Sequence, residues 1–230
     1  MCHKRTSSGA TGCFIIFSTA LEPLSLPPIS TVPDDGYIEA AAHDIGCTYT
    51  IMAQVAADVL GLAPDRVTVR LGDTRLPESH PAIGSATAAN ATAAVMLAAQ
   101  AARAKAIELA LTGRDAPFAG AAAKDLIVAE GGLALARRNL NITYAELLAR
   151  NGLSSLVGDG DYDPVEEVNG PKAIFSFSAV FAEMRVDPDL GLVRLNRFLG
   201  VYDAGRIINP KTARSQAKPR TATRPLPPRA

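Results

Sequence analysis

The sequence predicts an α+β domain in which helices are interspersed with β-hairpins. Three observations predict it. Residues 173–186 and 192–202 alternate apolar and polar side chains and are joined by Asp187-Pro188-Asp189-Leu190-Gly191, the clearest hairpin signal in the chain. Residues 86–111 form an alanine-rich run with the composition of a long helix, closed by Gly113. Gly131-Gly132 separates two short apolar stretches, 126–130 and 133–136, as a second hairpin would.

The remaining elements follow in order. Residues 1–33 carry little pattern, and Pro23, Pro27, Pro28 and Pro33 interrupt any regular element, so this arm is expected to be poorly ordered. Residues 37–42 fit a strand that follows the turn Asp34-Asp35-Gly36. Over residues 50–60 a helix is predicted, with Ile51, Val55, Val59 and Leu60 on one face and Gly61 at its end. Residues 66–71 alternate as a strand, with Val67, Val69 and Leu71 on one side. A loop broken by Pro77 and Pro81 spans 74–83. Thr143-Tyr144-Ala145-Glu146 fits a capping box that opens a short helix ending near Gly152. Residues 157–171 read as an acidic loop containing Gly and Pro, and Asn209-Pro210 starts a helix to about Gln216. From 217 to 230 Pro, Arg and Thr predominate with no apolar periodicity, as in a disordered tail. The expected organisation is an arm over 1–33, a domain over 34–216 and a tail over 217–230.

Composition narrows the function classes. A chain of 230 residues with 48% hydrophobic content supports one sizeable core, and with Trp absent that core must rest on Ala, Val, Ile and Leu. Lys plus Arg and Asp plus Glu both number 23, so no net charge draws the chain to nucleic acid or an anionic membrane. Cys2, Cys13 and Cys47 are odd in number and scattered, and form neither a disulfide framework nor a zinc pair. His3, His43 and His80 have no metal-ligand spacing. Asp159, Asp161 and Asp163 suggest a calcium loop, but Gly160 stands in the wrong place and no Glu closes the pattern. No apolar run reaches membrane-spanning length, and the run 13–17 is too short for a signal peptide. The expected location is the cytoplasm, or the periplasm if the chain belongs to an exported complex. No Gly-x-Ser-x-Gly elbow supports a hydrolase.

The functional signal lies in two small-residue, hydroxyl-rich loops that each open onto a helix. The first runs Asp44-Ile45-Gly46-Cys47-Thr48-Tyr49-Thr50, and the second runs Gly84-Ser85-Ala86-Thr87-Ala88-Ala89-Asn90. A helix start presents free N–H groups and a partial positive charge, which suit a phosphorylated or oxygen-rich cofactor. These loops, the helix 52–56, Leu71-Gly72-Asp73-Thr74, the segment 181–188 and the segment 201–210 occur in one order and spacing. In that order the chain resembles the molybdopterin-binding subunit of the xanthine dehydrogenase and aldehyde oxidase family, over about residues 36–216.

The resemblance implies hydroxylation of an aldehyde or N-heterocycle carbon with water as oxygen source. Its cofactor is a molybdenum-bearing molybdopterin, in bacterial relatives usually the cytosine dinucleotide form, and electrons leave through partner iron–sulfur and flavin subunits. It implies cofactor contacts at Gly46 and Thr48 in the first loop and at Gly84, Ser85, Thr87, Ala88 and Asn90 in the second. It adds Gln216 at the far end. No residue is implied as a metal ligand, Cys47 included, and none as catalytic. Asp203 and Asn209 read as turn and cap residues.

The chain also departs from the family pattern. Gly46-Cys47-Thr48 lacks the second glycine of the first loop. The family's Gly-Gly-Phe-Gly segment is absent, and so is the general-base glutamate, which lies beyond the matching region. The expectation is a fragment of a larger subunit, inactive alone, whose two unmatched ends arise from truncation or a frameshift. The alternative is a non-catalytic remnant that keeps the fold or a subunit interface and binds no cofactor.

Overall fold

The computed structural model describes residues 11–18, 35–40, 48–73, 76, 79, 86–135, 139–163 and 175–217. Gly46, Cys47, Gly84 and Ser85 therefore lie outside the described residues, as do all three histidines. The chain divides into two compact units, Met1–Asn169 and Gly170–Ala230. Helices and mixed sheets together make an α+β fold. Among the described residues no helix is long and apolar enough to cross a membrane.

The first unit is built on a four-stranded sheet. Strands β1 (Thr11–Ser18), β2 (Asp35–Ala40), β3 (Val67–Leu71) and β7 (Ser155–Tyr162) lie in the order β3-β2-β1-β7. β2 and β3 are parallel, with Gly36 opposite Val67 and Ala40 opposite Leu71. β1 is antiparallel to both β2 and β7, so β7 runs parallel to β2 and β3. Helix α1 (Thr48–Leu60) and a 3₁₀ turn at Pro64–Arg66 carry the chain from the end of β2 to the start of β3. This is a βαβ crossover, the standard route between adjacent parallel strands.

Two strands stand where the sequence pattern is read as irregular. β1 lies inside the 1–33 arm; its run Cys13-Phe14-Ile15-Ile16-Phe17 is continuous rather than alternating and so shows no strand period in the sequence. The four prolines all follow it. β7 occupies the start of the expected acidic loop. Its glycines explain why: a Cβ on Gly158 would fall on the backbone of Ala98 and Ala102, and one on Gly160 on the backbone of Ala94 and Ala98. Glycine is what lets a helix lie directly against this strand.

That helix is α2 (Thr87–Thr112). Ala91, Ala94, Ala98, Ala102, Ala106 and Ala110 are buried at spacings of three and four, a continuous stripe of small side chains. Lys105 closes the edge of the seam, donating to the Val157 carbonyl at 2.6 Å and lying 3.8 Å from Asp159. α1 packs beside α2 in the same core. Its buried face is centred on Met52 and Ala56, whereas Val55 and Val59 are only partly buried. The face is broader than the predicted stripe because α1 meets both α2 and β3.

A second sheet holds β4 (Leu126–Ala129), β5 (Gly132–Leu135) and β6 (Leu140–Thr143) in sequence order. The hairpin expected here forms, but its two-residue turn is Glu130 (φ 48°) and Gly131 (φ 77°), one residue earlier than the Gly131-Gly132 signal, because Gly132 pairs with Ala129 as the first residue of β5. Thr143 caps α3 (Tyr144–Arg150) reciprocally: its Oγ1 accepts from the Glu146 N–H at 3.2 Å, and its own N–H donates to Glu146 Oε2 at 3.1 Å. The buried Tyr144 hydroxyl donates to the Leu60 carbonyl at 3.0 Å and so ties α3 to the end of α1.

The second unit holds β8 (Phe177–Asp187), β9 (Leu192–Asp203) and α4 (Pro210–Ala217). β8 and β9 pair from Phe177–Asp203 to Asp187–Leu192, with a bulge at Glu183/Met184. Asp187 Oδ1 accepts from the Asp189 and Leu190 N–H groups in the turn. Asp203 accepts from the Gly205 N–H at 3.2 Å, and Asn209 Oδ1 caps α4 through the Lys211 and Thr212 N–H groups. Both are the turn and cap residues that the sequence indicates.

Candidate cofactor-binding site

Because β2 and β3 are parallel, the loops that follow them leave the sheet at the same edge. One loop opens onto α1 and the other onto α2. α2 meets Gly160 through Ala94 and Ala98, and Gly158 through Ala98 and Ala102, so it runs antiparallel to β7. Its start therefore projects past the carboxyl ends of the parallel strands. Ligands of open α/β sheets bind at these carboxyl ends, where helix starts converge.

Polar side chains are buried at both helix starts. Thr48 opens α1 at 1% exposure, and Thr87 opens α2 at 9%. Asn90, one turn along α2, is 5% exposed. They are the only buried polar or charged residues among the described residues. α2 begins at Ala86 without a side-chain cap, and neither helix carries an acidic residue in its first turn. The positive ends of both helices are thus left without a carboxylate from their own first turns.

Of the sequence candidates, the structure brings Thr48, Thr87 and Asn90 to these starts as buried groups. Ala88 sits in the same first turn of α2 but is exposed. Gly46, Gly84 and Ser85 belong to the loop portions outside the described residues. Gln216 is exposed in α4, within the second unit.

A recess of about 340 Å³, which no sequence signal marks, adjoins the first turn of α1. Tyr49, Thr50 and Ala53 line it with Pro64, Asp65, Val67 and Val69. Its one charged residue is a carboxylate, which does not complement a phosphate. The anion-compatible surface is at the helix starts instead.

Among the described residues, two hydroxyls and one carboxamide, with backbone N–H groups, form a donor set suited to an oxygen-rich organic cofactor. It is not a set that ligates a metal directly. Among the described residues no three His, Cys, Asp or Glu side chains group as a metal site. The residues present therefore fit a pterin cofactor held by hydrogen bonds.

This arrangement is a cofactor-binding α+β scaffold of the molybdenum hydroxylases. A family model described as the molybdopterin cofactor-binding domain matches residues 17–218, and the chain belongs to that family. It is 31% identical over 180 residues to the aldehyde oxidoreductase molybdenum-binding subunit PaoC of Escherichia coli (strain K12), covering 78% of this chain and 22% of that one. To the 6-hydroxypseudooxynicotine dehydrogenase complex subunit gamma of Paenarthrobacter nicotinovorans it is 28% identical over 173 residues, covering 73% of this chain and 21% of that one. Quinoline 2-oxidoreductase from Pseudomonas putida 86 shares the fold with a TM-score of 0.70 at 21% identity, covering 91% of this chain and 25% of that one. Reconstituted CO dehydrogenase from Oligotropha carboxidovorans shares it with a TM-score of 0.69 at 23% identity, over 90% of this chain and 24% of that one. The chain thus spans about a fifth of the length of these curated relatives.

Proposed function

We propose that this chain is a portion of a molybdenum hydroxylase large subunit and that its two helix starts hold part of a molybdopterin dinucleotide, in the cytosine form. The observation that carries the reading is the placement of buried Thr48, Thr87 and Asn90 at two helix starts that lack a carboxylate in their own first turns and follow strands β2 and β3 of one sheet. Thr48 and Thr87 donate hydroxyls to cofactor oxygens, and Asn90 offers both a donor and an acceptor to the pterin edge. Gly46, Gly84, Ser85 and Ala88 carry small side chains, which suits close approach of backbone N–H groups to the cofactor. The family resemblance implies a further cofactor contact at Gln216.

When bound, the cofactor supplies hydroxylation of an aldehyde or N-heterocyclic carbon. The chain's own part is to bind and orient it through Thr48, Thr87 and Asn90, whose side chains do not exchange protons near neutral pH. Electrons would leave through iron–sulfur and flavin subunits of the parent complex.

Expression in a host that makes the cytosine dinucleotide cofactor, followed by molybdenum analysis and pterin fluorescence, tests the reading. Near-stoichiometric molybdenum and released pterin are expected. Their absence favours the second reading, a remnant that keeps the fold without cofactor. The shortened Gly46-Cys47-Thr48 turn is the feature that favours it.

A further inference from the structure

One face of the β8–β9 hairpin is apolar along its length. Val180, Met184 and Val186 of β8 share it with Leu195 and Val193 of β9, and all five are exposed. Near the open end the Tyr202 ring lies over Gly200, where a Cβ would come within 2.6–2.9 Å of it. The opposite face is divided: its turn-proximal half carries Glu183, Arg185, Arg194 and Arg197, and its open half carries exposed Phe177, Phe181, Leu199 and Val201, so only the first face is without charge from end to end. A soluble hairpin protects itself with charge on an exposed face, and this one has placed its charge on the other.

The strands are 11 and 12 residues long, and the two-stranded sheet has no third strand among the described residues. Two strands alone are marginally stable in water; a third strand or a packed layer is what stabilises them. The family match spans 17–218, so the hairpin is part of the shared domain. In PaoC the matching segment is 22% of a longer polypeptide, which leaves ample chain to cover the face.

We propose that this apolar face is a docking surface for the remainder of a molybdenum-binding subunit. That remainder lays apolar side chains on the Val180–Met184–Val186 row and adds an extended strand to an open edge of the hairpin. The proposal rests on reading this chain as a portion of such a subunit, but it does not need the cofactor to be bound.

The test mixes the full chain with the E. coli PaoC subunit from which the matching segment has been deleted. Affinity capture and amide hydrogen exchange are the readouts. Capture is expected, with exchange in β8 and β9 slowed at least about tenfold. Val180→Asp and Leu195→Asp should each abolish both effects, whereas Glu183→Gln on the other face should leave them intact. Circular dichroism of each variant separates lost docking from lost folding. Absence of capture overturns the proposal. So does slow exchange in the chain alone at every concentration, because the face is then covered within the chain. Protection that rises with concentration and accompanies a dimer also overturns it, in favour of a second copy. Molybdenum content, measured separately, reports on the cofactor reading whether docking holds or fails.

Discussion

At the scale of single residues, burial decides which polar groups matter. Thr87 and Asn90 are enclosed at the start of α2, at the end of the helix that faces the proposed cofactor. Asn90→Leu and Thr87→Val are expected to lower the pterin and molybdenum retained at least about tenfold, the loss of one or two hydrogen bonds to the cofactor. Their thermal stability without cofactor should hold or rise. Cofactor retained at the level of the unsubstituted chain would remove both residues from the site.

Tyr144 shows the same logic inside the core. Burial pushes its phenol well above the usual tyrosine range, and the Arg103 cation offsets this in part. The unfolded chain ionises this phenol near pH ~10, while the folded chain keeps it protonated. The contribution is therefore fully present below pH ~10 and is lost at ~1.4 kcal/mol per pH unit as the pH climbs toward the folded value. Tyr144→Phe should cost ~1 kcal/mol at neutral pH by deleting the bond to the Leu60 carbonyl. The difference from the unsubstituted chain should shrink above pH ~10, as read by urea denaturation at each pH.

At the scale of elements, the β7–α2 seam and the α3 cap carry the sharpest expectations. Gly160→Ala would set a methyl group against the backbone of α2 at Ala94 and Ala98, so helix and strand must part. Overpacking of this kind costs ~1–3 kcal/mol, which a shift in denaturation midpoint measures directly. Thr143→Ala removes one half of a reciprocal cap and should cost about 1 kcal/mol. α3 would fray first, visible as faster exchange at Glu146.

These elements also show what was legible in the sequence. The capping box and the Asp187–Gly191 turn are local chemistry and stand where the sequence places them, and the Gly-Gly hairpin stands one residue earlier, with its turn at Glu130-Gly131. α2 is equally legible, since a long alanine run has few other uses. β7 was not, because glycine and aspartate disfavour strands intrinsically and only the helix laid on them reverses that preference. β1 was hidden for the complementary reason. A short unbroken apolar run has no period, and its partners stand far off in the chain. The order of motifs located both helix starts, yet burial of Thr48, Thr87 and Asn90 against exposure of Ala88 is a tertiary fact. No pattern within a single loop encodes it.

At the scale of the whole molecule, the chain is a member of the molybdopterin cofactor-binding domain family that spans about a fifth of its curated relatives. The first unit buries a continuous core, whereas the hairpin of the second exposes large apolar side chains. Chemical denaturation should therefore report mainly the first unit. Removing 170–230 is expected to shift its midpoint by less than ~0.5 kcal/mol equivalent; a larger shift would show that the two units fold as one.

The sheet order has a consequence for how the chain is made. β1 needs β7 on its second edge, and Ser18 pairs with Ser155. On a ribosome adding ~5–20 residues per second, that partner emerges roughly 7–27 s after β1 does. Through that interval an apolar strand waits with at least one open edge, which is the stage at which nascent chains stick to one another or to a chaperone. Chains stalled before Ser155 should sediment as aggregates, and chains released beyond Tyr162 should stay in the supernatant.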